Sequence, residues 1–322
     1  KTAYEFSLVL VGADMCIRDR YFYSLTTQAG IHILLGLSVY TVALTGQVSF
    51  GQQGFYAIGA YVSAIATTLW GIALLPALLL GMSVSAIFGV LVGFPALRVK
   101  GLYLAIATFA FGEIVRNGLN SLYFTRTVGG AEGGPGVPEG FRHIAYFNEN
   151  GWTTVDVTIL VVGIVGLVLL FYAVLERSRL GATMRAVGSD ELAAATAGIS
   201  VVWIKVGAFA IGAAAAGLGG GLYAHYTTFI SPLAFGLPIA IVAVAYVLVG
   251  GLGSWVGPVV GVLFFLALTE GLRFLGEYRM MIYGLVVVIA MNIRPHGLID
   301  AKMLRHFKGM LGNTRREERE ET

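Results

Sequence analysis

Residues 154–175 read TVDVTILVVGIVGLVLLFYAVL, an apolar run of the length that a helix needs to cross a bilayer. Alternation of period two, which would indicate a strand, is missing. Inside lipid the backbone has to satisfy its own hydrogen bonds, so this run must form a helix. Similar runs occur at 24–45, 52–70, 73–93, 101–118, 202–224, 235–253, 256–273 and 280–293. The sequence therefore predicts an all-α fold, a polytopic transmembrane bundle of about eight or nine membrane helices.

The overall composition agrees with a chain that lies mostly in lipid. Of the 322 residues, 57% are hydrophobic and 12% are charged, about half the charged share of a soluble domain. A soluble fold of this size would leave much of its surface apolar. The composition therefore excludes a disordered chain, a disulfide scaffold and an ordinary soluble enzyme.

Glycine and proline mark where the helices meet and where they bend. Glycine occurs 44 times, and we interpret its GxxxG spacings as seams of close helix packing. These spacings are Gly89/Gly93, Gly217/Gly221 and Gly253/Gly257/Gly261. Pro238 and Pro258 lie inside or at the start of apolar runs, and they predict that some helices are kinked or broken.

The first 23 residues do not fit the pattern. Residues 4–13 are apolar but too few to span lipid, and charged residues follow at 14–20. The string DMCIRDR at 14–20 resembles translated sequencing-adapter read-through; a short extramembrane turn is the alternative. We divide the chain into an N-terminal segment at 1–23 with no assigned role, a membrane domain at 24–299 with a polar loop at 176–200, and a charged tail at 300–322.

Basic residues orient the predicted helices, because lysine and arginine near helix ends tend to stay in the cytoplasm. Placing the tail inside also places the loop 176–200 inside and the connection 117–152 outside. Arg98 and Lys100 then lie inside, as do most of the 21 basic residues. The pattern predicts a multi-pass membrane protein with a cytoplasmic C-terminus.

No catalytic constellation is visible. GxxxxGK[ST], HExxH and GxSG are absent, so the sequence has no P-loop to hold ATP phosphates and no recognisable hydrolase motif. A single cysteine excludes a cysteine-based metal site, and the five histidines lack zinc-ligand spacing. The net charge of +3 is too small to indicate nucleic acid. We predict no catalytic residue, no metal and no bound cofactor.

Two sets of polar residues in the apolar runs are candidates for contact with a solute. Glu113 and Arg116 lie three apart near the outer end of the run 101–118, and form either an interfacial ion pair or part of an outer vestibule. Gln47, Gln52 and Gln53 lie within GQVSFGQQGFYAIGAY at 46–61. Three amides among glycines make a poor lipid-facing surface, and they suit either a polar cavity or a tight helix crossing.

The inside loop contains a second kind of candidate. Residues 179–200 read RLGATMRAVGSDELAAATAGIS. Asp190 is a suitable N-cap for a short helix from Glu191 to Ala197, and Gly198 is a suitable C-cap. Such a short helix is marginal alone, so we expect a protein partner to cover its small-residue face. An ordinary amphipathic loop is the alternative.

Four blocks in order carry a resemblance to a known family, over about residues 25–299. They are residues 46–61 quoted above, PALRVKGLYLAIATFAFGEIVRN at 95–117, residues 179–200 followed by Lys205, and the span from Ser231 through LVGGLGSWVGPVVG at 248–261 to RPHG at 294–297. The chain resembles the LivM-type permease subunit of branched-chain amino acid ABC transporters.

The resemblance implies a bacterial inner-membrane importer subunit rather than an enzyme. Such a subunit lies in membrane lipid, pairs with a second, related permease, and receives leucine, isoleucine or valine from a periplasmic binding protein. Two cytoplasmic ATPase subunits use the ATP. The inside loop corresponds to the coupling helix that an ATPase cleft grips. The residues assigned to coupling are Arg185, Glu191, Ala193, Ala194 and Gly198, and one departure is Gly188-Ser189, where a more charged pair is expected.

Other functions remain as alternatives. Related permeases handle ribose-like sugars and urea, so urea, short amides or another small polar solute are alternative substrates. An ion-coupled secondary transporter would favour carboxylates near the bilayer midplane, whereas the acids here lie mostly at helix ends. An intramembrane enzyme lacks any supporting motif.

Overall fold

The computed structural model describes residues 2–96, 99, 101–121, 141, 144, 146–272 and six separate residues between 281 and 292. Arg98, Lys100, the block 294–297 and the tail 300–322 lie outside the described residues, as do most of the run 280–293 and of the connection 117–152. The helices are α1 (Thr2–Ala43), α2 (Gln52–Thr68), α3 (Leu74–Ala96), α4 (Leu102–Leu119), α5 (Tyr146–Glu149), α6 (Thr154–Arg177), α7 (Arg179–Ser189), α8 (Glu191–Thr196), α9 (Val201–Thr227), α10 (Leu237–Gly250) and α11 (Val256–Gly271).

The predicted all-helical membrane bundle is confirmed. Within the described ranges no strand is found, and Phe141 and Ile230 form an isolated antiparallel bridge. Four described segments are long and apolar enough to cross a bilayer, namely Arg20–Ala43, Leu74–Pro95, Thr154–Arg177 and Val201–Thr227. Helices α10 and α11 are apolar but shorter. Helix α1 begins at Thr2, well before the apolar run predicts, so residues 14–20 belong to a helix rather than to a turn.

Helix α9 lies at the centre and packs against α1, α2 and α3 through glycines. A Cβ atom at Gly220 would stand 1.9 Å from the Tyr56 carbonyl oxygen of α2, and one at Gly217 would stand 2.3 Å from Ser85 Oγ of α3. Gly89 of α3 faces Ala213 in the same way, at 2.6 Å. Because side chains would force these helices apart, the interpretation of the glycines as packing seams is confirmed here.

The prolines do not kink the helices that the sequence assigned them to. Pro238 and Pro258 lie in the first turns of α10 and α11, where the missing N–H group costs no helical hydrogen bond. A clear interruption lies elsewhere, between α1 and α2. Residues 44–51, which we call the α1–α2 connection, form turns and irregular backbone instead of helix.

The α1–α2 connection runs back into the bundle. Helices α1 and α6 point the same way, since Thr27 in α1 bonds to Thr158 near the start of α6, and Thr41 bonds to Tyr172 near the ends of both helices. Both therefore finish at the end of the bundle where α7 and α8 lie, which we call the loop end. Helix α2, however, begins beside Gly212, near the middle of α9. The connection thus carries non-helical backbone to the middle of the bundle, where only protein or a polar cavity can cover it.

Candidate functional site

Helix α8 at the loop end is held by its own caps. Asp190 ends α7 and is the N-cap of α8, and its Oδ1 accepts hydrogen bonds from the N–H groups of Leu192 (2.8 Å) and Ala193 (3.0 Å). This carboxylate also lies at the positive end of the helix dipole. The short helix predicted over Glu191–Ala197 is confirmed, with its last residue at Thr196.

The other end of α8 is closed by Gly198. Its φ of +80° lies in the left-handed region, which favours glycine. The N–H of Gly198 donates to the Ala195 carbonyl, and the N–H of Ile199 donates to the Ala194 carbonyl, both at 3.0 Å. These two bonds satisfy carbonyls that the end of the helix would otherwise leave free. A six-residue helix, marginal in isolation, is thus capped at both ends.

An ion pair attaches α8 to the central helix. Glu191, the first residue of α8, accepts a hydrogen bond from Lys205 in the second turn of α9. Lys205 is only 3% exposed, and Glu191 supplies the opposite charge that a buried ammonium group requires. The sequence placed Glu191 in the coupling set, and the structure joins it to a buried lysine that had been quoted only as part of a motif.

The alanines expected on one partner-facing surface are divided. Ala194 is buried against the protein itself, whereas Ala193 is exposed. Leu192, which the sequence analysis did not select, is 76% exposed beside it. An isolated leucine in a loop of small and polar residues was the signal available for it. The outward surface of α8 therefore includes Leu192, Ala193, Ala195 and Thr196, but not Ala194.

Arg185 is exposed, and it also connects the loop to the bundle. Its Nη2 donates to the Glu176 carbonyl at 2.9 Å. The carboxylate of Glu176 accepts from Ser254 Oγ at 3.0 Å and from the Trp255 N–H at 3.3 Å. Glu176 therefore ties the end of α6 to the α10–α11 connection. This role was not predicted from the sequence, in which the available signal was an acid at the end of an apolar run.

The three glutamines of the α1–α2 region form the second candidate site, the amide cluster of Gln47, Gln52 and Gln53. All three side chains are buried. Within the described part of the chain, Gln47 Oε1 and both amide atoms of Gln52 and Gln53 have no hydrogen-bond partner. A buried polar group without a partner costs about 1–3 kcal/mol. Packing alone gives no reason to keep these amides.

Glycines on neighbouring helices make the space for the amides. A Cβ atom at Gly112 of α4 would lie 2.6 Å from Gln53 Nε2, and one at Gly212 of α9 would lie 3.6 Å from Gln52 Nε2. The N-cap of α2 is Gly51, which has no side chain to accept hydrogen bonds from the first N–H groups of the helix. The amide cluster thus lies at the positive end of a helix that starts inside the bundle. Of the two interpretations left open by the sequence, the structure shows the helix crossing, where the amides remain unpaired, and a polar cavity stays a prediction.

Glu113 and Arg116 form the ion pair that their spacing predicts. Arg116 donates to Glu113 Oε2 from Nε at 2.8 Å and from Nη2 at 2.7 Å, and both side chains are partly exposed. The Cδ of Arg116 lies 3.9 Å from the position of a Cβ atom at Gly236, the N-cap of α10. The pair follows Gly112 on α4, so the same helix carries the ion pair and one wall of the amide cluster.

The described ranges contain no cluster of side chains that could bind a metal ion. No group of three histidine, cysteine, aspartate or glutamate residues there lies close enough together to hold an ion. The arrangement offers buried amides, a partly exposed ion pair and a rigid loop.

Comparison with known proteins identifies the kind of molecule. The profile of the family described as branched-chain amino acid transport system, permease component, matches residues 21–291. The chain belongs to this permease family. Its members are permease components of ABC-type transporters, so the role of the chain is transport rather than catalysis, and it is a multi-pass membrane protein. The family resemblance inferred from the four sequence blocks is confirmed.

Individual permeases support the assignment. The high-affinity branched-chain amino acid transport system permease protein LivM of Salmonella typhimurium is 35% identical over 312 residues, covering 91% of this chain and 73% of that protein. LivM of Escherichia coli is 34% identical over the same shares. The ribose import permease protein RbsC of Escherichia coli is 26% identical over 307 residues, covering 89% of this chain and 90% of that protein. No solved structure matches the chain.

Proposed function

We propose that this permease is a membrane-spanning subunit of an ATP-driven importer of leucine, isoleucine and valine. The similarity to LivM over most of the chain supports the substrate class. The observation that carries the mechanism is the preorganised helix α8, capped at both ends and fixed to α9 through Lys205. When a partner protein displaces a rigid helix at one end of the bundle, the displacement reaches the membrane helices, because little of it is lost in local unfolding of that helix.

The energy in this proposal comes from other subunits. The sequence has no P-loop, so two ATPase subunits bind and use the ATP, and this chain binds no cofactor itself. Their contact surface is the outward side of α8, where Leu192 is exposed. A second, related permease completes the membrane part, and a periplasmic binding protein delivers the solute.

The loop end faces the cytoplasm of a bacterial cell in this proposal, with the protein in the inner membrane. Arg177, Arg179 and Arg185 lie around α7, and such basic residues favour the cytoplasmic side. The tail 300–322, which is rich in charge, lies on the same side. Glu113 and Arg116 then lie toward the outside, as a vestibule, and the amide cluster lies deeper along the solute's path.

Uptake and ATP hydrolysis by the reconstituted complex test the function. Proteoliposomes containing this chain with its co-purified permease and ATPase subunits are expected to accumulate leucine only with ATP and the binding protein. Leucine uptake by this chain alone, driven by a proton or sodium gradient, would refute the proposal.

A crosslink tests the contact with the ATPase. Leu192→Cys, in a background where Cys16 is replaced by serine, is expected to crosslink to an ATPase subunit in the intact complex. Ala194→Cys is the matched control, because Ala194 is buried against the chain itself. Equal crosslinking from both positions, or from neither, would contradict the proposed docking surface.

A further inference from the structure

The loop end touches the start of the α1–α2 connection by backbone alone. Gly188 lies in the last turn of α7, and a Cβ atom there would stand 2.3 Å from the Leu44 carbonyl oxygen and 3.0 Å from the Gly46 nitrogen. The contact is reciprocal, since a Cβ atom at Gly46 would stand 2.9 Å from the Gly188 carbonyl oxygen. Gly46 also has a φ of +74°, which disfavours any side chain. Both positions require glycine for the two backbones to meet.

This contact explains the departure at Gly188-Ser189 from the family pattern. A charged side chain at 188 would collide with the Leu44 carbonyl group. Position 188 is therefore constrained by the membrane domain on its inner side.

The connection passes from this contact directly to the amide cluster. Gln47 follows Gly46, and Gln52 begins α2 after four further residues. Along the way the Phe50 N–H donates to Thr108 Oγ1 at 3.2 Å, and a Cβ atom at Gly51 would lie 2.9 Å from the Thr108 carbonyl oxygen. The connection is thus held at the loop end by Gly188 and in the middle of the bundle by Thr108 of α4.

Helices α7 and α8 are suited to move as one unit. Asp190 is both the C-cap of α7 and the N-cap of α8, so the one residue between the two helices is hydrogen-bonded to both of them. A force applied to the exposed side of α8 is transferred to the last turn of α7, where Gly188 lies. Closely packed backbone has few ways to absorb such a displacement.

We propose that the Gly46–Gly188 contact transmits movement of the α7–α8 unit to the start of α2, and so repositions the amides of Gln52 and Gln53 during transport. Gly46 and Gly188 are positioning residues in this scheme, since they act on the amide cluster through the connection. The inference rests on the proposed function, because it takes α8 to be the element that the ATPase moves. It adds to the proposed function a route for this movement, which passes through the α1–α2 connection and not only through α6 and α9.

Variants of the two glycines separate hydrolysis from uptake. In the reconstituted complex, Gly188→Ala and Gly46→Ala are expected to retain binding-protein-stimulated ATP hydrolysis while leucine uptake per ATP falls about tenfold. Gly207→Ala in α9 is the matched control, because its added Cβ would meet no other helix or side chain within 4 Å among the described residues. Normal uptake per ATP in both contact variants would overturn the proposal.

Spin labels test the route without depending on the glycine variants. Val48 in the connection and Ile159 on α6 are both exposed, so nitroxides at these positions disturb little. The distance between them is expected to change when the ATPases are trapped with nucleotide and vanadate, and the change is expected to be lost in Gly188→Ala. An unchanged distance in the parent complex would overturn the proposal even if Gly188→Ala failed to fold. If the complex hydrolyses ATP and the distance changes but no branched-chain amino acid is imported, the proposed substrate fails and the route stands.

Discussion

The α7–α8 unit and the amide cluster are linked by the short α1–α2 connection, yet they differ in how their polar groups are paired. In the α7–α8 unit, Asp190 caps a helix, Gly198 closes it, and the buried Lys205 is paired with Glu191. In the amide cluster, five buried side-chain atoms of three glutamines have no partner within the described residues. The paired polar groups of the α7–α8 unit fix its geometry. The unpaired amides of the amide cluster lower the stability of the fold, so we infer that these side chains have a role other than stabilising it.

The two regions also differ in the range of the contacts that hold them. The caps of α8 join residues that are two to five apart in sequence. The α1–α2 connection is held instead by Thr108 and Gly188, and the first residue of α2 after it, Gln52, lies near Gly212; all three positions are distant in sequence. A region held by distant contacts changes whenever the helices that carry those contacts move.

The largest expected effect comes from reversing the charge of Glu191. Glu191→Lys places two like charges at the base of α8, next to a lysine that is almost fully buried. Breaking such a pair costs about 2 kcal/mol here, because partial exposure of the glutamate screens the charge. Leucine uptake by the reconstituted complex is expected to fall more than about tenfold, while the chain still inserts and co-purifies with its partner permease.

The double variant Glu191→Lys with Lys205→Glu is the control for this charge reversal. It restores opposite charges at the same two positions, so most of the lost uptake is expected to return. If the double variant is as inactive as the single one, the carboxylate of Glu191 itself is needed by a partner. Glu191 would then no longer act only through its pairing with Lys205 inside the chain.

Replacing an unpaired amide with an apolar side chain of similar size is expected to separate stability from function. Gln53→Met removes two buried polar atoms without adding bulk against Gly112, so the midpoint of thermal unfolding is expected to rise. Leucine uptake is expected to fall several-fold, because the amide is no longer present to meet the solute or water. Differential scanning fluorimetry and uptake by proteoliposomes give the two measurements.

Gln28→Met on α1 is the matched control, since Gln28 is exposed and lies outside the amide cluster. It is expected to change neither the unfolding midpoint nor uptake. A Gln53→Met variant that is less stable than the parent would show that the amide is structurally satisfied. The contrast between the two regions would then disappear.

The range of the contacts decides what the sequence could predict. The membrane helices follow from apolar run length, and α8 follows from Asp190 and Gly198, because caps act within one turn. The amides of Gln52 and Gln53 were selected from the sequence, but their lack of partners depends on which helices surround them. The ties of Glu176 to the α10–α11 connection and the reason for Gly188 depend on chain segments far away in sequence. No local pattern could therefore predict them.

A smaller effect is expected at the C-terminal end of α8. Gly198→Ala forces a side chain into the left-handed region and is expected to destabilise the helix end by about 1–2 kcal/mol. Gly198→Asn is the control, since asparagine tolerates this conformation better. Uptake per ATP is expected to fall in the alanine variant and to be largely kept in the asparagine variant. Equal activity of the two variants would show that this end of α8 does not need its fixed geometry.

The smallest expected effect is at the N-cap. Asp190→Ala removes the acceptor for the Leu192 and Ala193 N–H groups and is expected to cost about 1 kcal/mol, whereas Asp190→Asn keeps an oxygen in place and costs less. Hydrogen exchange of the amides of α8 measures this locally, and a loss of this size speeds exchange about fivefold. The amides of α9 near Gly212 are expected to exchange as in the parent. Faster exchange confined to α8 would show that the caps act locally, whereas equal acceleration near Gly212 would show that the α7–α8 unit and the middle of the bundle share one cooperative structure.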